Sequence, residues 1–386
     1  MGYEMKNIKK RDVLRKAEIA AEYVTTISIA RALGDSISEE KLNSELSNYR
    51  EKTLKSLSPA QESWFEEELL RLNPMSNHVT SLIVDGNEDY LSNARVFHTA
   101  QSSMSGGVNS KEDFTILTSG GREHKFSLKQ YKSIDNVQVA SGTYLSTLIG
   151  LAFEPTGRGS FTTPCGAKVS SKTGEGGNWS FLLNKLVQYY GEDILEPVEE
   201  LARQTKEVHK YRFASHRPKN WSKGSDSCTK LAGRKAVPCF LQALSVISRA
   251  NPDRFKSRVL NRIGLSNPEG AKELIFVDTK GRSLSSFQNS EVGNWIKAVN
   301  SSDTRMRFKS KSQSAMFYFD DANGKELLEF AIPLTINSNG AWVSNSGYHE
   351  KEGLYLEAGQ RRPKKSMELD TSTNCWLKTP KNLIKK

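Results

Sequence analysis

The order of apolar and polar positions changes character several times along the chain. In KKRDVLRKAEIAAEYVTTISIARAL, Val13, Leu14, Ala17, Ala20, Ala21 and Val24 recur at the three-and-four spacing of one helical face. SPAQESWFEEELLRL repeats that spacing, with Ser58 as N-cap and Gln61 three residues on. Residues 6–72 are therefore expected to be helical. From about 78 to 140 short alternating runs broken by Gly and Ser take over, which is the patterning of strands. TYLSTLIGLAF (143–153) and WSFLLNKLVQYYG each predict a helix, with a Gly-rich stretch between them. Residues 203–235 form a basic, loop-like segment. AVPCFLQALSVISRA then predicts a helix, and NPDRFKSRVLNRIG another, with Asn251 as N-cap and Pro252 at its first position. KELIFVDTK has the character of a buried strand, and SAMFYFDDANGKELLEFAIPLTI that of a long hairpin about an Asn-Gly turn. The fold class is α+β: a mixed β-sheet core flanked by helices, a helical N-terminus and a β-rich C-terminal part. Two parts are expected, 1–200 with the helical front and an α/β core, and 201–386, basic and β-rich.

Composition sharpens this picture. With 386 residues, 37% of them hydrophobic and 9% aromatic, the chain can bury a substantial core. Fifty-five basic residues against 44 acidic leave a net charge of +11, which favours a polyanionic partner, nucleic acid first. The four cysteines (Cys165, Cys228, Cys239, Cys375) are scattered, without CxxC pairs or a histidine at zinc-finger spacing, and are expected to be free thiols. The charged N-terminal stretch lacks the apolar segment of a secretory signal, and no run of 18 apolar residues exists. A cytoplasmic protein is expected.

One stretch carries candidate chemistry: EDFTILTSGGREHKFSLKQYK, residues 112–132. Asp113 opens one strand, Ser-Gly-Gly turns the chain, and HKFSLK returns to end on Lys129. Residues two apart share a strand face, so Ser127 and Lys129 point one way and Phe126 and Leu128 the other. A hairpin of this kind sets Asp113 near the Ser127–Lys129 edge. Metal-assisted phosphodiester cleavage needs such a set: hard oxygen ligands for Mg²⁺, and a cation to orient the attacking water and offset developing charge.

These residues resemble the PD-(D/E)xK nuclease superfamily, which includes most type II restriction endonucleases. In that family an aspartate on one strand is followed by an acid-x-lysine on the next. Here Glu112 stands where proline is common, and Ser127 stands where Asp or Glu is usual, an S-x-K variant. The resemblance covers about 20 residues directly and extends over 1–155 as a core. It implies a restriction-endonuclease-like fold and Mg²⁺-dependent, site-specific cleavage of double-stranded DNA. Asp113 would bind the metal and Lys129 would serve as the catalytic lysine, with Ser127 in the variant acid position. Glu18 and Glu22 share one face of the first helix, and Glu18 is preferred as the extra carboxylate and second metal ligand; Asp135 and Glu154 are the other nearby acids in sequence. The downstream SIDNVQVASGTYLS is similar to the Gln-bearing strand and Ser-Gly turn of such enzymes, which puts Gln138 and Ser141 near the site or the DNA backbone. A homodimer and a companion DNA methyltransferase also follow from the resemblance. The alternative is a non-catalytic DNA-binding or phage-related protein with a degenerate nuclease fold.

A rival set, Asp253 followed by Asp278-Thr-Lys280, spells the consensus more literally, but Asp253 begins a helix, where an acid faces the macrodipole. SKTGEGG lacks P-loop spacing, and there is no GxSxG, HExxH or GxGxxG. His124 is expected at a strand edge rather than on a metal. In HKYRFASHRPKNWSKGSDSCTKLAGRK, Arg212, Arg217, Lys219 and Lys223 are interleaved with aromatics and are the candidate DNA contacts. RMRFKSKSQ (305–313) is a second basic set, and the tail KTPKNLIKK is expected to be disordered.

Overall fold

A computed structural model describes residues 10–98, 113–131, 133–157, 160–170, 179–198, 200, 227–266, 273–336, 346–349, 354–357 and 371–385. In chain order the helices are α1 Lys10–Ala32, α2 Ser36–Leu54, α3 Pro59–Val84, α4 Tyr144–Ala152, α5 Trp179–Tyr190, α6 Ser227–Ala250, α7 Pro252–Arg262 and α8 Ser290–Asn300. The first strands are β1 Arg95–His98, β2 Phe114–Leu117, β3 Glu123–Tyr131, β4 Asn136–Thr143, β5 Glu154–Gly157, β6 Ser160–Thr162 and β7 Lys168–Ser170. They are followed by β8 Glu273–Asp278, β9 Ser283–Ser285, β10 Arg305–Lys311, β11 Ser314–Asp320, β12 Glu326–Ile336, β13 Ser346–His349, β14 Leu354–Glu357 and β15 Thr371–Lys378. The protein is thus α+β, with a helical front and mixed sheets.

The chain forms two compact units, and neither is continuous. One comprises residues 1–135, 268–294 and 379–386; the other comprises 136–267 and 295–378. The expected division at 200/201 follows chain order, whereas the spatial division returns to the first unit twice after leaving it.

In the first unit a five-stranded sheet runs β1-β2-β3-β8-β9. The β3–β8 pair is parallel and the other pairs are antiparallel. Val13, Ala17, Ala20 and Ala21 of α1 are buried with Phe65, Leu69, Leu72, Met75 and Val79 of α3, in one core with Phe114, Phe126 and Leu128 of the sheet. The expected helical face of α1 is the one that is buried. α3 runs past Pro74 to Val84, beyond the predicted end at 72. A proline inside a helix costs roughly 3 kcal/mol, yet Leu69, Leu72, Met75, Val79 and Ile83 keep one buried stripe across it. The stripe outweighs the break. At the start of α3, the Ser58 N–H donates to Gln61 Oε1 at 2.9 Å, as the capping pattern implies.

The tail departs from expectation. Leu383 is buried and Lys385 pairs with Ser283 through two backbone hydrogen bonds of 2.8 Å, so residues after 378 are tied to β9. The apolar side chain of Leu383, among lysines, supplies the anchor.

The second unit is built on an antiparallel sheet β10-β11-β12-β15-β4. The β11–β12 hairpin turns at Asn323-Gly324, where Gly324 takes a φ of 81°. Phe317, Phe319, Phe330, Ile332, Leu334 and Leu377 are buried on one side of the sheet. Two smaller sheets, β5-β6-β7 and β13-β14, are also present. Asn251 caps α7, its Oδ1 accepting from the Arg254 N–H at 3.0 Å. α6 begins at Ser227, inside the stretch 203–235 read as loop.

Candidate active site

The hairpin forms as its sequence suggests. Gly121 takes a φ of 80° in the turn, and Thr118 Oγ1 accepts from the Arg122 N–H at 3.1 Å. β2 then pairs with β3, Phe114 opposite Phe126. The Asp113 N–H donates to the Phe126 carbonyl at 2.7 Å, and its Oδ2 accepts from the Leu128 N–H at 2.6 Å. These two bonds hold the Asp113 carboxylate against β3, where Lys129 Nζ lies 3.5 Å from the same oxygen. The predicted Asp113–Lys129 meeting is therefore present. Ser127 is buried and shares the strand face of Lys129.

Carboxylates from α1 meet this pair. Burial first, then the Asp113 carboxylate, push the Glu22 carboxyl up to about 8, against the pull of Lys129. Glu18 is the outer of the two: its side chain is exposed, so solvent weakens the upward push that burial and Glu68 give its carboxyl. Burial pulls the Lys129 ammonium down, but Asp113, Glu22 and Glu18 more than offset this and leave it raised. Tyr131, two residues beyond Lys129, is also raised, by burial and by Glu18 and Asp113. Lys129 and Arg15 pull both α1 carboxyls down, and Arg71 does so at Glu18, without cancelling the rise that burial causes. Of the two α1 acids, Glu22 is the one that interacts most with Asp113, where the sequence reading preferred Glu18. Residues at i and i+4 share a helical face, and periodicity does not say which sits level with the strand. Tyr131 was not singled out, although the two-residue spacing from Lys129 points to it.

Asp278 and Lys280 form something different. Asp278 has a fully buried side chain, and its carboxylate accepts from Lys280 N–H at 2.9 Å, Arg282 N–H at 3.1 Å, Arg282 Nε at 2.9 Å and Ile134 N–H at 3.4 Å. Burial raises its pKa, and these hydrogen bonds outweigh that and hold it low. Arg282 also reaches Asp135 at 3.0 Å, and with Ser133 it lowers that carboxyl to about 2. Both Asp278 oxygens are engaged, one by the turn N–H groups of Lys280 and Arg282 and the other by the Arg282 side chain and the Ile134 N–H. Asp253 sits in the first turn of α7, as expected of a helix-start acid. Asp135 is committed to Arg282, and Glu154 lies 3.9 Å from Arg254 in the second unit.

His124 is buried and hydrogen-bonded, with Nε2 2.7 Å from Tyr90 Oη and Nδ1 3.4 Å from Glu273 Oε1. Gln138 lies on β4, opposite Trp376 of β15, and Ser141 is on the same strand, opposite Asn374. Arg212, Arg217, Lys219 and Lys223 lie outside the described residues. Among the described residues no three His, Cys, Asp or Glu side chains stand together as a metal cage, and no helix is long and apolar enough to cross a membrane. No family model, curated protein or solved structure matches the chain.

Proposed function

We propose that the chain is a Mg²⁺-dependent, site-specific double-stranded DNA endonuclease with a restriction-endonuclease-like core. The observation that carries this reading is the Asp113–Lys129 pair, with Glu22 raised to about 8 beside it. A carboxyl that burial holds so high would be favoured in its ionised form by a hard divalent cation. Asp113 and Glu22 fit such an ion as a two-carboxylate set, since Mg²⁺ keeps several waters and needs few protein ligands. When bound, the ion would neutralise the scissile phosphate and acidify its water. Lys129 would orient the attacking water and balance charge growing on the phosphate, while the Leu128 N–H holds the aspartate against the lysine strand. The polyanionic substrate agrees with the net charge of +11. Action as a homodimer alongside a companion methyltransferase belongs to the same proposal.

A second reading, a DNA-binding protein with a degenerate nuclease fold, is favoured by one observation: Ser127 supplies no third acid. Digestion of mixed phage DNA with and without Mg²⁺ separates the two. Discrete bands given by wild type and by Asp278→Ala, corrected for folded fraction, but lost in Asp113→Ala and Lys129→Ala, support the nuclease. Mobility shifts without cutting, on substrates of varied sequence and modification, support the binder.

A further inference from the structure

The second unit carries a surface that the proposed cleavage pocket does not use. The β10-β11-β12-β15-β4 sheet buries Phe317, Phe330 and Leu377 on one side; on the other, Met316 and Tyr318 of β11 are also buried, while the basic side chains of β10 and Trp376 of β15 are exposed. Along β10, Arg305, Arg307, Lys309 and Lys311 are all exposed and all on that face. Arg307 is occupied by Asp320 at 2.5 Å, and Lys309 lies over the Tyr318 ring at 5.0 Å. Arg305 and Lys311 have no acidic partner among the described residues.

Basic side chains on an edge strand guard against pairing with another chain, and by themselves they imply no ligand. Trp376 does not serve that purpose. It lies on β15, an inner strand, opposite Ala331 of β12 and Gln138 of β4, yet 36% of its surface is exposed. A tryptophan on an inner strand, flanked by a small side chain and an amide, offers an aromatic face to solvent. Three strand spacings separate β15 from β10, about 14 Å in all. That distance is roughly four stacked nucleotides at 3.4 Å each.

We propose that this face binds single-stranded nucleic acid, with a base stacked on Trp376 and phosphates running towards Arg305, Lys309 and Lys311. Stacking on a sheet aromatic needs an unpaired base, and the cationic row supplies the sequence-independent attraction. The site is separate from the Asp113–Lys129 pocket and stands without it.

The test is fluorescence anisotropy of labelled dT20, rU20 and a 20-bp duplex with the full-length chain in EDTA. Wild type is expected to bind a single strand more tightly than the duplex. Trp376→Ala is expected to weaken that binding about 10-fold, within the range for loss of one stacked base, and Trp376→Phe to restore most of it. Replacing Arg305, Lys309 and Lys311 by alanine is expected to reduce the slope of log K against log salt by about 2. The relative affinities for dT20 and rU20 identify DNA or RNA as the ligand. Unchanged binding by a folded Trp376→Ala variant, no single-strand binding by wild type, or a duplex preference independent of Trp376 would overturn the proposal.

Discussion

Asp113 and Asp278 lie in the same unit, one entering β2 and the other ending β8, and each meets a basic side chain. Their surroundings differ. Asp278 is closed off by three backbone N–H groups and the Arg282 guanidinium, and Arg282 is balanced in turn by Asp135. The Asp113 Oδ2 accepts from the Leu128 N–H, and Asp113 shares Lys129 with two acids from α1. The first arrangement stabilises the turn, with charge and hydrogen bonds in balance. In the second, burial first and the neighbouring carboxylates next raise the Glu22 carboxyl against the pull of Lys129 and Arg15, a perturbation of the kind that clusters at functional sites. The more literal motif, Asp278-Thr-Lys280, is the structural one, and the looser Asp113…Ser127-Leu-Lys129 is the candidate for chemistry.

Substitutions can break this contrast, the largest effect coming first. Asp113→Ala and Lys129→Ala are each expected to lower Mg²⁺-dependent cleavage by about 100-fold or more, the usual cost of losing one electrostatic contributor, measured as initial nicking rates on supercoiled DNA. Asp278→Ala is expected to leave the rate per folded molecule unchanged but to destabilise the protein, because the Ile134, Lys280 and Arg282 N–H groups lose their common acceptor. Urea unfolding checks this.

Glu22→Gln sharpens the comparison through pH. Between about 4.5 and 8 the folded state holds the Glu22 proton and the unfolded state releases it, so this group makes stability fall as pH rises across that window. The substitution is therefore expected to stabilise the protein more at pH 8 than at pH 5, by on the order of 2 kcal/mol. Denaturant midpoints at the two pH values give the answer, and an equal change at both would place Glu22 in ordinary solvent. Asp135→Ala is expected to have the smallest effect. Its carboxylate is 44% exposed, so the midpoint should move little while Asp278 keeps its other donors.

Much of the pocket was legible because strands alternate and hairpins close locally: Asp113, Ser127 and Lys129 are placed by one turn and a two-residue period. The contribution of α1 was legible only as a face, since Glu18 and Glu22 differ in position along the helix, which contact with the sheet decides. The Asp278 cluster was illegible for another reason. It depends on Ile134, Asp135 and Arg282 meeting across more than 140 residues of sequence, which no local pattern records. The same holds for α3, whose continuation past Pro74 depends on what its stripe is buried against.

The pairing of β3 with β8 sets a timetable for synthesis. Lys129 lies on a strand whose parallel neighbour starts at Glu273, so during translation most of the second unit emerges before that neighbour exists. Closing so long a loop costs only about 0.6 kcal/mol more than closing one half its length, but such distant pairing slows folding. A nascent chain halted before residue 273 leaves one edge of β3 open, a template for unwanted pairing with other chains. The lysine strand is therefore fully flanked late in synthesis, and a fragment ending before β8 would contain every acid of the pocket but lack β8 and β9 of their sheet.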